Sequence, residues 1–193
     1  MARVSYLNTD DPTAGELLTA TAERIASAAG TTNKDVKVPN LLRALAHSPR
    51  LLDVQTQVGD ALWNTTELER QLQELVILRV AQIRHSDYEW GRHVGMAAFA
   101  GVPEEKIAAL ERWQDAPELT SAERAAIALA DALAREGDAP QHVIDEVLSH
   151  FSERQLVELT MLGASYIMLS IVLQALRIDQ EPNDPRLPAT DRS

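Results

Sequence analysis

The chain has 193 residues, 45% of them hydrophobic but only 4% aromatic, and it contains no cysteine. Lys and Arg number 18 against 29 Asp and Glu, a formal net charge of −11. Such a surface repels phosphate backbones and anionic lipid, so neither nucleic acid nor membrane is an expected partner. Without cysteine there is no disulfide, no thiolate nucleophile and no sulfur-ligated metal. The length fits one domain with a full hydrophobic core. Aliphatic residues led by Ala and Leu, with few aromatics and short β-branched runs, point to an all-α protein.

In chain order, Asp10, Asp11 and Pro12 read as cap and first-turn residues of a helix that Gly30 closes. MARVSYLNTDDP has neither the basic start nor the apolar centre of a signal peptide, so a cytoplasmic location is expected. After a polar loop, TTNKDVK, Pro39 opens a short helix and Ser48-Pro49 a longer one running to about Trp63. Thr66 with Glu69 has capping-box spacing for a helix that ends near Arg84, and Ser86 with Glu89 repeats that spacing for a helix that stops at Gly101. Pro103 starts a short helix, and a loop runs through Asp115, Ala116 and Pro117. Thr120 with Glu123 caps a helix ended by Gly137, and Pro140 opens another. Ser152 with Gln155 caps a last, long helix.

That last helix carries no charge from Leu159 to Leu176, long enough to span a membrane. Tyr166, Ser170 and Gln174 fall on one stripe of it, and a buried core helix is the expected role. Residues 1–178 read as one helical domain, and residues 179–193 as a polar, proline-containing tail, extended or disordered.

An internal repeat runs through this plan. ERQLQELVILRVAQI, from Glu69 to Ile83, aligns without a gap on ERQLVELTMLGASYI, from Glu153 to Ile167. Glu74 recurs as Glu158. Two related helical units about a pseudo-two-fold axis are expected.

Chemistry concentrates between Glu74 and His93, in ELVILRVAQIRHSDYEWGRH. Ser86, Glu89 and His93 share one helical stripe, so a carboxylate and an imidazole can reach a common point. With Glu74 in the preceding helix, these are the parts of a proton-transfer site. Each also has a plain structural reading: Glu89 as the third residue of a capping box, His93 as a core histidine, Glu74 in an ion pair with Arg79 or near Glu158. Tyr88 and Arg92 lie one turn apart, with Tyr88 a possible hydroxyl donor. Arg79, Arg84, His85, Arg92 and His93 form a basic cluster in an acidic chain, which favours an anionic ligand such as a carboxylate; Arg84 can instead answer the helix dipole. No HExxH pattern, glycine-rich phosphate loop or nucleophile elbow is present, so neither metal nor cofactor is expected.

The same stretch resembles the carboxymuconolactone decarboxylase and alkylhydroperoxidase-like superfamily. The pattern there is a Glu in an E-L-x-I-L-R-like helix followed by C-x-x-C-x-x-x-H. Glu74 and His93 stand at the Glu and His positions, while Ser86 and Glu89 stand where the two cysteines would be. VPNLLRALAHSPRLL, AAFAGVPEEKIAAL, LTSAERAAIALADAL and FSERQLVEL extend the likeness over most of the chain. The resemblance implies an alkylhydroperoxidase-like bundle of about eight helices and a homo-oligomer, a trimer or hexamer, with the cleft near a subunit boundary. Together with the residues themselves, it leads us to expect a cofactor-free lyase or isomerase acting on a small organic acid, with His93, Glu89 and Glu74 catalytic and Tyr88, Arg92, Arg79 and Ser86 binding substrate. The alternative is a non-catalytic ligand-binding or assembly protein of the same fold. A thiol peroxidase is disfavoured by the missing sulfur.

Overall fold

The computed structural model describes residues 1–28 and 37–188. The expected helix closure at Gly30, most of the loop after it and residues 189–193 of the tail lie outside these. Among the described residues the protein is all-helical: α1 (Gly15–Ala28), α2 (Asn40–Leu45), α3 (Pro49–Asn64), α4 (Arg70–Ile83), α5 (Asp87–Phe99), α6 (Glu104–Ala109), a 3₁₀ turn (Leu110–Asp115), α7 (Ser121–Glu136), α8 (Gln141–His150) and α9 (Glu153–Leu176). That is one α-helix more than the eight expected.

Helix α4 is the axle. Ten consecutive residues, Leu72 to Ala81, are buried. One face, with Leu72, Val76, Ile77 and Val80, packs with α7, α8 and α9 through Leu129, Val147 and Leu162. The opposite face, with Leu75, Leu78 and Ala81, packs on α5, α6 and α7 through Trp90, Ala97, Ala109 and Ile127. Each fully buried aliphatic side chain contributes about 1.5–3 kcal/mol, so this helix supplies much of the hydrophobic stabilisation. Its three buried polar side chains are therefore costly unless partnered, and all three are. Gln73 donates to the Leu62 and Leu68 carbonyls and to Thr66 Oγ1. Glu74 and Arg79 belong to the networks below.

The repeat has a physical counterpart. Helices α4 and α9 lie side by side and point the same way, since Glu67 contacts Arg154 and Glu158 at one end while Gln174 reaches the Arg84 carbonyl at the other. Both copies carry the same one-turn ion pair, Arg70–Glu74 and Arg154–Glu158.

Local signals succeed where one side chain decides. Thr120–Glu123 and Ser152–Gln155 form complete capping boxes, and Gly137 ends α7 with φ 74°. The corner after α4 turns on His85, at φ 51°; Ser86 N–H bonds back to the Ala81 carbonyl and His85 N–H to that of Gln82. Thr66 with Glu69 does not form the expected box. Helix α4 starts at Arg70, and Thr66 donates its hydroxyl to the Leu62 carbonyl while accepting from Gln73. The buried Gln73 claims the oxygen that would have capped the helix.

One further expectation needs correction. Helix α9 is not buried all round: it is long and apolar enough to cross a membrane, yet Leu159, Leu162, Tyr166 and Leu173 face the core while Val157, Met161, Met168 and Ile171 are exposed. The tail, over its described part, is a pinned strap without helix. Gln180 donates to the carbonyls of Asp87, Asp184 and Pro185, and the Leu187 N–H to Asp87. The strap crosses α5 at Gly91, where a Cβ would sit 2.6 Å from Gln180 Nε2 and 2.7 Å from the Pro185 oxygen. Only glycine permits that approach.

Candidate active site

Helices α4 and α5 meet at the His85 corner, and this brings Glu74 and His93 together across the turn. His93 Nδ1 lies 2.7 Å from Glu74 Oε2, with both side chains buried. The other carboxylate oxygen accepts from Arg70, whose guanidinium stacks 4.1 Å over the Trp63 ring. Trp63 Nε1 donates to the Tyr166 hydroxyl at 3.2 Å, and the Tyr166 ring stands edge-on to His93 at 4.9 Å between centroids. The contacts therefore form one chain: Tyr166, Trp63, Arg70, Glu74, His93 and back to Tyr166.

The repeat separates the two roles of Glu74. Its bond to Arg70 is the helix-internal pair that Arg154–Glu158 reproduces, while its bond to His93 has no counterpart in the second half. Glu74 is structural through one oxygen and holds the imidazole with the other. Its suspected partner Arg79 is elsewhere.

His93, Glu89, Tyr88 and Arg92 line one cavity of about 340 Å³. Thr21, Arg24 and Ile25 of α1, Leu41 and Leu42 of α2, Gln55, Thr56, Asp60, Trp63 and Asn64 of α3 and Tyr166 and Leu169 of α9 also line it. With Nδ1 committed to Glu74, no hydrogen bond among the described residues engages His93 Nε2.

Glu89 is the unusual group. Ser86 caps α5 by accepting the Glu89 N–H at 3.5 Å, but the reciprocal half of the box is missing. Both Glu89 carboxyl oxygens are buried, with no hydrogen-bond partner among the described residues, and the residue is 3% exposed. Burial pushes its pKa up to about 8, opposed by the nearby Ser86 hydroxyl and the charge of Arg84. At neutral pH this side chain holds its proton and can donate it. The unfolded carboxyl ionises near 4.5, so the folded chain keeps a proton the unfolded chain has lost between pH 4.5 and about 8. Stability should fall as pH rises through that window and then level off. Glu89→Gln cannot ionise there; urea unfolding across the window should show its slope flattened and a gain on the order of a few kcal/mol by pH 8.

The remaining expected site residues divide. Arg92 lines the cavity and lies 3.7 Å from Asp184 of the strap. Tyr88 lines it too, but as wall: its hydroxyl donates to Glu181 at 2.8 Å and accepts from the Leu41 N–H at 3.2 Å. That corrects the hydroxyl-donor reading, because its proton is spent. Burial raises its pKa, the Leu41 bond opposes, and the Glu181 charge adds to the rise. Ser86 is the helix cap and does not line the cavity.

Arg79 is not a binding residue. It is buried against Asp131, with Nε 2.8 Å from Oδ1, and donates to the Leu110 carbonyl at 2.9 Å. Arg70, Trp63, Tyr166 and Arg24 are the residues sequence reading missed. Arg70 carried a signal in its one-turn spacing to Glu74, repeated at Arg154 and Glu158, and Tyr166 in its polarity on an apolar helix.

Residues 49–132 match the model of the carboxymuconolactone decarboxylase family. Among solved structures, the fold is similar to an uncharacterized peroxidase-related protein from Silicibacter sp. TM1040, with TM-score 0.78 and 19% identity over 95% of this chain and 93% of that one. An alkylhydroperoxidase-core, peroxidase-related protein from Ralstonia eutropha JMP134 gives TM-score 0.78 and 14% identity over 94% of this chain and 93% of that one. A variant of the debrominase Bmp8 in complex with 2,3,4-tribromopyrrole gives TM-score 0.78 and 16% identity over 94% of this chain and 95% of that one. No curated protein matches the chain.

Proposed function

For a chain that belongs to the carboxymuconolactone decarboxylase and alkylhydroperoxidase-like superfamily as a member without cysteine, we propose cofactor-free acid–base catalysis on a small organic acid. The observation that carries this reading is the His93–Glu74 pair beside the buried, unpartnered carboxyl of Glu89, with His93 and Glu89 lining one cavity. Carboxylate-held imidazole and buried carboxylic acid are complementary: one is fitted to carry a proton and the other to donate a hydrogen bond to the charge that develops. Glu74 holds Nδ1, so Nε2 works on the substrate. Arg92 and Arg24, at the wall, are placed to hold a substrate carboxylate.

Two outcomes of that chemistry belong to the same site. Loss of carbon dioxide leaves an electron pair on carbon, and the site supplies the proton that replaces the carboxylate. An isomerisation instead takes a proton from one carbon and returns it to another. Decarboxylation of a lactone acid is the specific case nearest to the family's name. The debrominase relative, bound to a substituted pyrrole, offers a precedent for a small ring in this fold. The test is to incubate lactone acids and β-keto acids with the protein in D₂O and follow carbon dioxide release and deuterium uptake by NMR. If none of them reacts above the uncatalysed rate, the reading is wrong.

The reading includes a homo-oligomer, with α9 as the seam. Val157, Met161, Ala164, Met168, Ile171 and Ala175 are all exposed and are spaced alternately by four and three residues. That is the heptad spacing by which one helix packs on another like it, so the partner is a second copy. Replacing Met161 and Met168 together by Glu should lower the mass measured by light scattering to that of a smaller species. An unchanged mass would remove α9 from the interface.

A further inference from the structure

The Tyr166 hydroxyl accepts from Trp63 Nε1, yet no acceptor among the described residues takes its own proton. Its oxygen is buried at the cavity beside His93, and Glu89 reaches the same cavity one helical turn from His93 with two orphaned oxygens. Two neutral O–H groups thus belong to residues that line one cavity together with His93. Among the described residues neither O–H has an acceptor for its proton, and a ligand oxygen would relieve the penalty of leaving it unpaired.

We propose that Tyr166 and Glu89 together form an oxyanion site, two hydroxyl donors that hold the negatively charged oxygen of an enolate while His93 moves the proton. This rests on the acid–base reading above and narrows it. The substrate is an organic acid whose reacting carbon is conjugated with a carbonyl, so that the electron pair left on carbon, by deprotonation or by loss of carbon dioxide, spreads onto oxygen. No oxidant or reductant enters: the pair formed on carbon is quenched by one proton. Both donors must stay protonated to serve. Burial raises the pKa of each, and for Tyr166 the nearby Glu74 charge adds to the rise while the bond from Trp63 opposes it. Trp63 polarises the Tyr166 hydroxyl by donating to it, and Arg70, stacked on Trp63, ties that donor to the Glu74 end of the site.

The inference is tested without the natural substrate, using 4-nitrophenol, whose anion mimics a delocalised enolate and absorbs differently from the neutral phenol. Below the phenol's own pKa, the wild-type protein should bind it as the anion and raise the anion's absorbance. Tyr166→Phe, which keeps the ring, should weaken anion binding roughly 10- to 100-fold, the worth of one hydrogen bond to a charged group. Trp63→Phe should weaken it less and in the same direction, acting through the polarised hydroxyl; it also serves if Tyr166→Phe does not fold. Failure of the wild type to bind the anion, or equal binding by Tyr166→Phe, overturns the oxyanion site. So does loss of binding in His93→Gln with none in Tyr166→Phe, which would assign the anion to an imidazolium. The D₂O turnover experiment stands apart from these measurements, so acid–base catalysis can survive a failed phenolate result.

Discussion

Replacing His93 by Gln should slow the proton-transfer step by roughly two to four orders of magnitude while leaving thermal unfolding nearly unchanged. The geometry explains the asymmetry. A glutamine amide can donate to Glu74 Oε2 as Nδ1 does at 2.7 Å, so the buried carboxylate keeps both its partners, Arg70 and residue 93. What disappears is a group at the Nε2 position able to carry a proton. Calorimetry and deuterium exchange on the same samples check both halves. A loss of a few kcal/mol in stability with no change in rate would make His93 a packing residue whose imidazole merely satisfies Glu74.

The opposite pattern is expected at Asp131. This carboxylate binds buried Arg79 and half-exposed Arg135, the latter at 2.7 Å. Asp131→Ala strands the Arg79 charge in the α4–α7 interface and should cost roughly 3–5 kcal/mol in urea unfolding, with chemistry in the surviving folded protein intact. The pH dependence carries the same signature. Burial alone would raise the Asp131 pKa, but its bonds to Arg135 and Arg79 outweigh that and hold it below the usual 3.8. Its contribution is therefore complete above the unfolded pKa and lost as pH falls through the lower folded value. Wild type should lose stability there more steeply than Asp131→Asn. An effect within a few tenths of a kcal/mol would mean that water reaches Arg79.

The candidate cluster was legible in the sequence because its parts are local. Ser86, Glu89 and His93 lie on one stripe by helical period alone, and the break that brings Glu74 to them is marked by His85-Ser86. The helix plan was legible for the same reason, since Gly137, Pro140 and the complete boxes at Thr120 and Ser152 act within one turn. The failures are long-range. Whether Arg79 meets Glu74, a ligand or Asp131 depends on which face of α7 packs against α4, and no local pattern records that. Tyr166 stood out as polar on an apolar helix, but its meeting with His93 requires α9 to lie beside α4. The apolar run of α9 indicated burial, yet hydrophobicity does not say whether the burying surface belongs to the same chain.

The cavity wall joins two kinds of sequence. Its reactive groups, Glu89 and His93, lie within residues 49–132, whereas Thr21, Ile25, Leu41 and Leu42 come from the α1–α2 segment before them, fastened partly through Tyr88 and Glu181. Chemistry and admission are thus written in separable stretches. On the acid–base reading proposed above, an α1–α2 segment exchanged for that of another protein of this fold would alter which molecules enter while Glu89 and His93 stay as they are, so new substrate ranges could arise by recombination of that segment without a change at either residue.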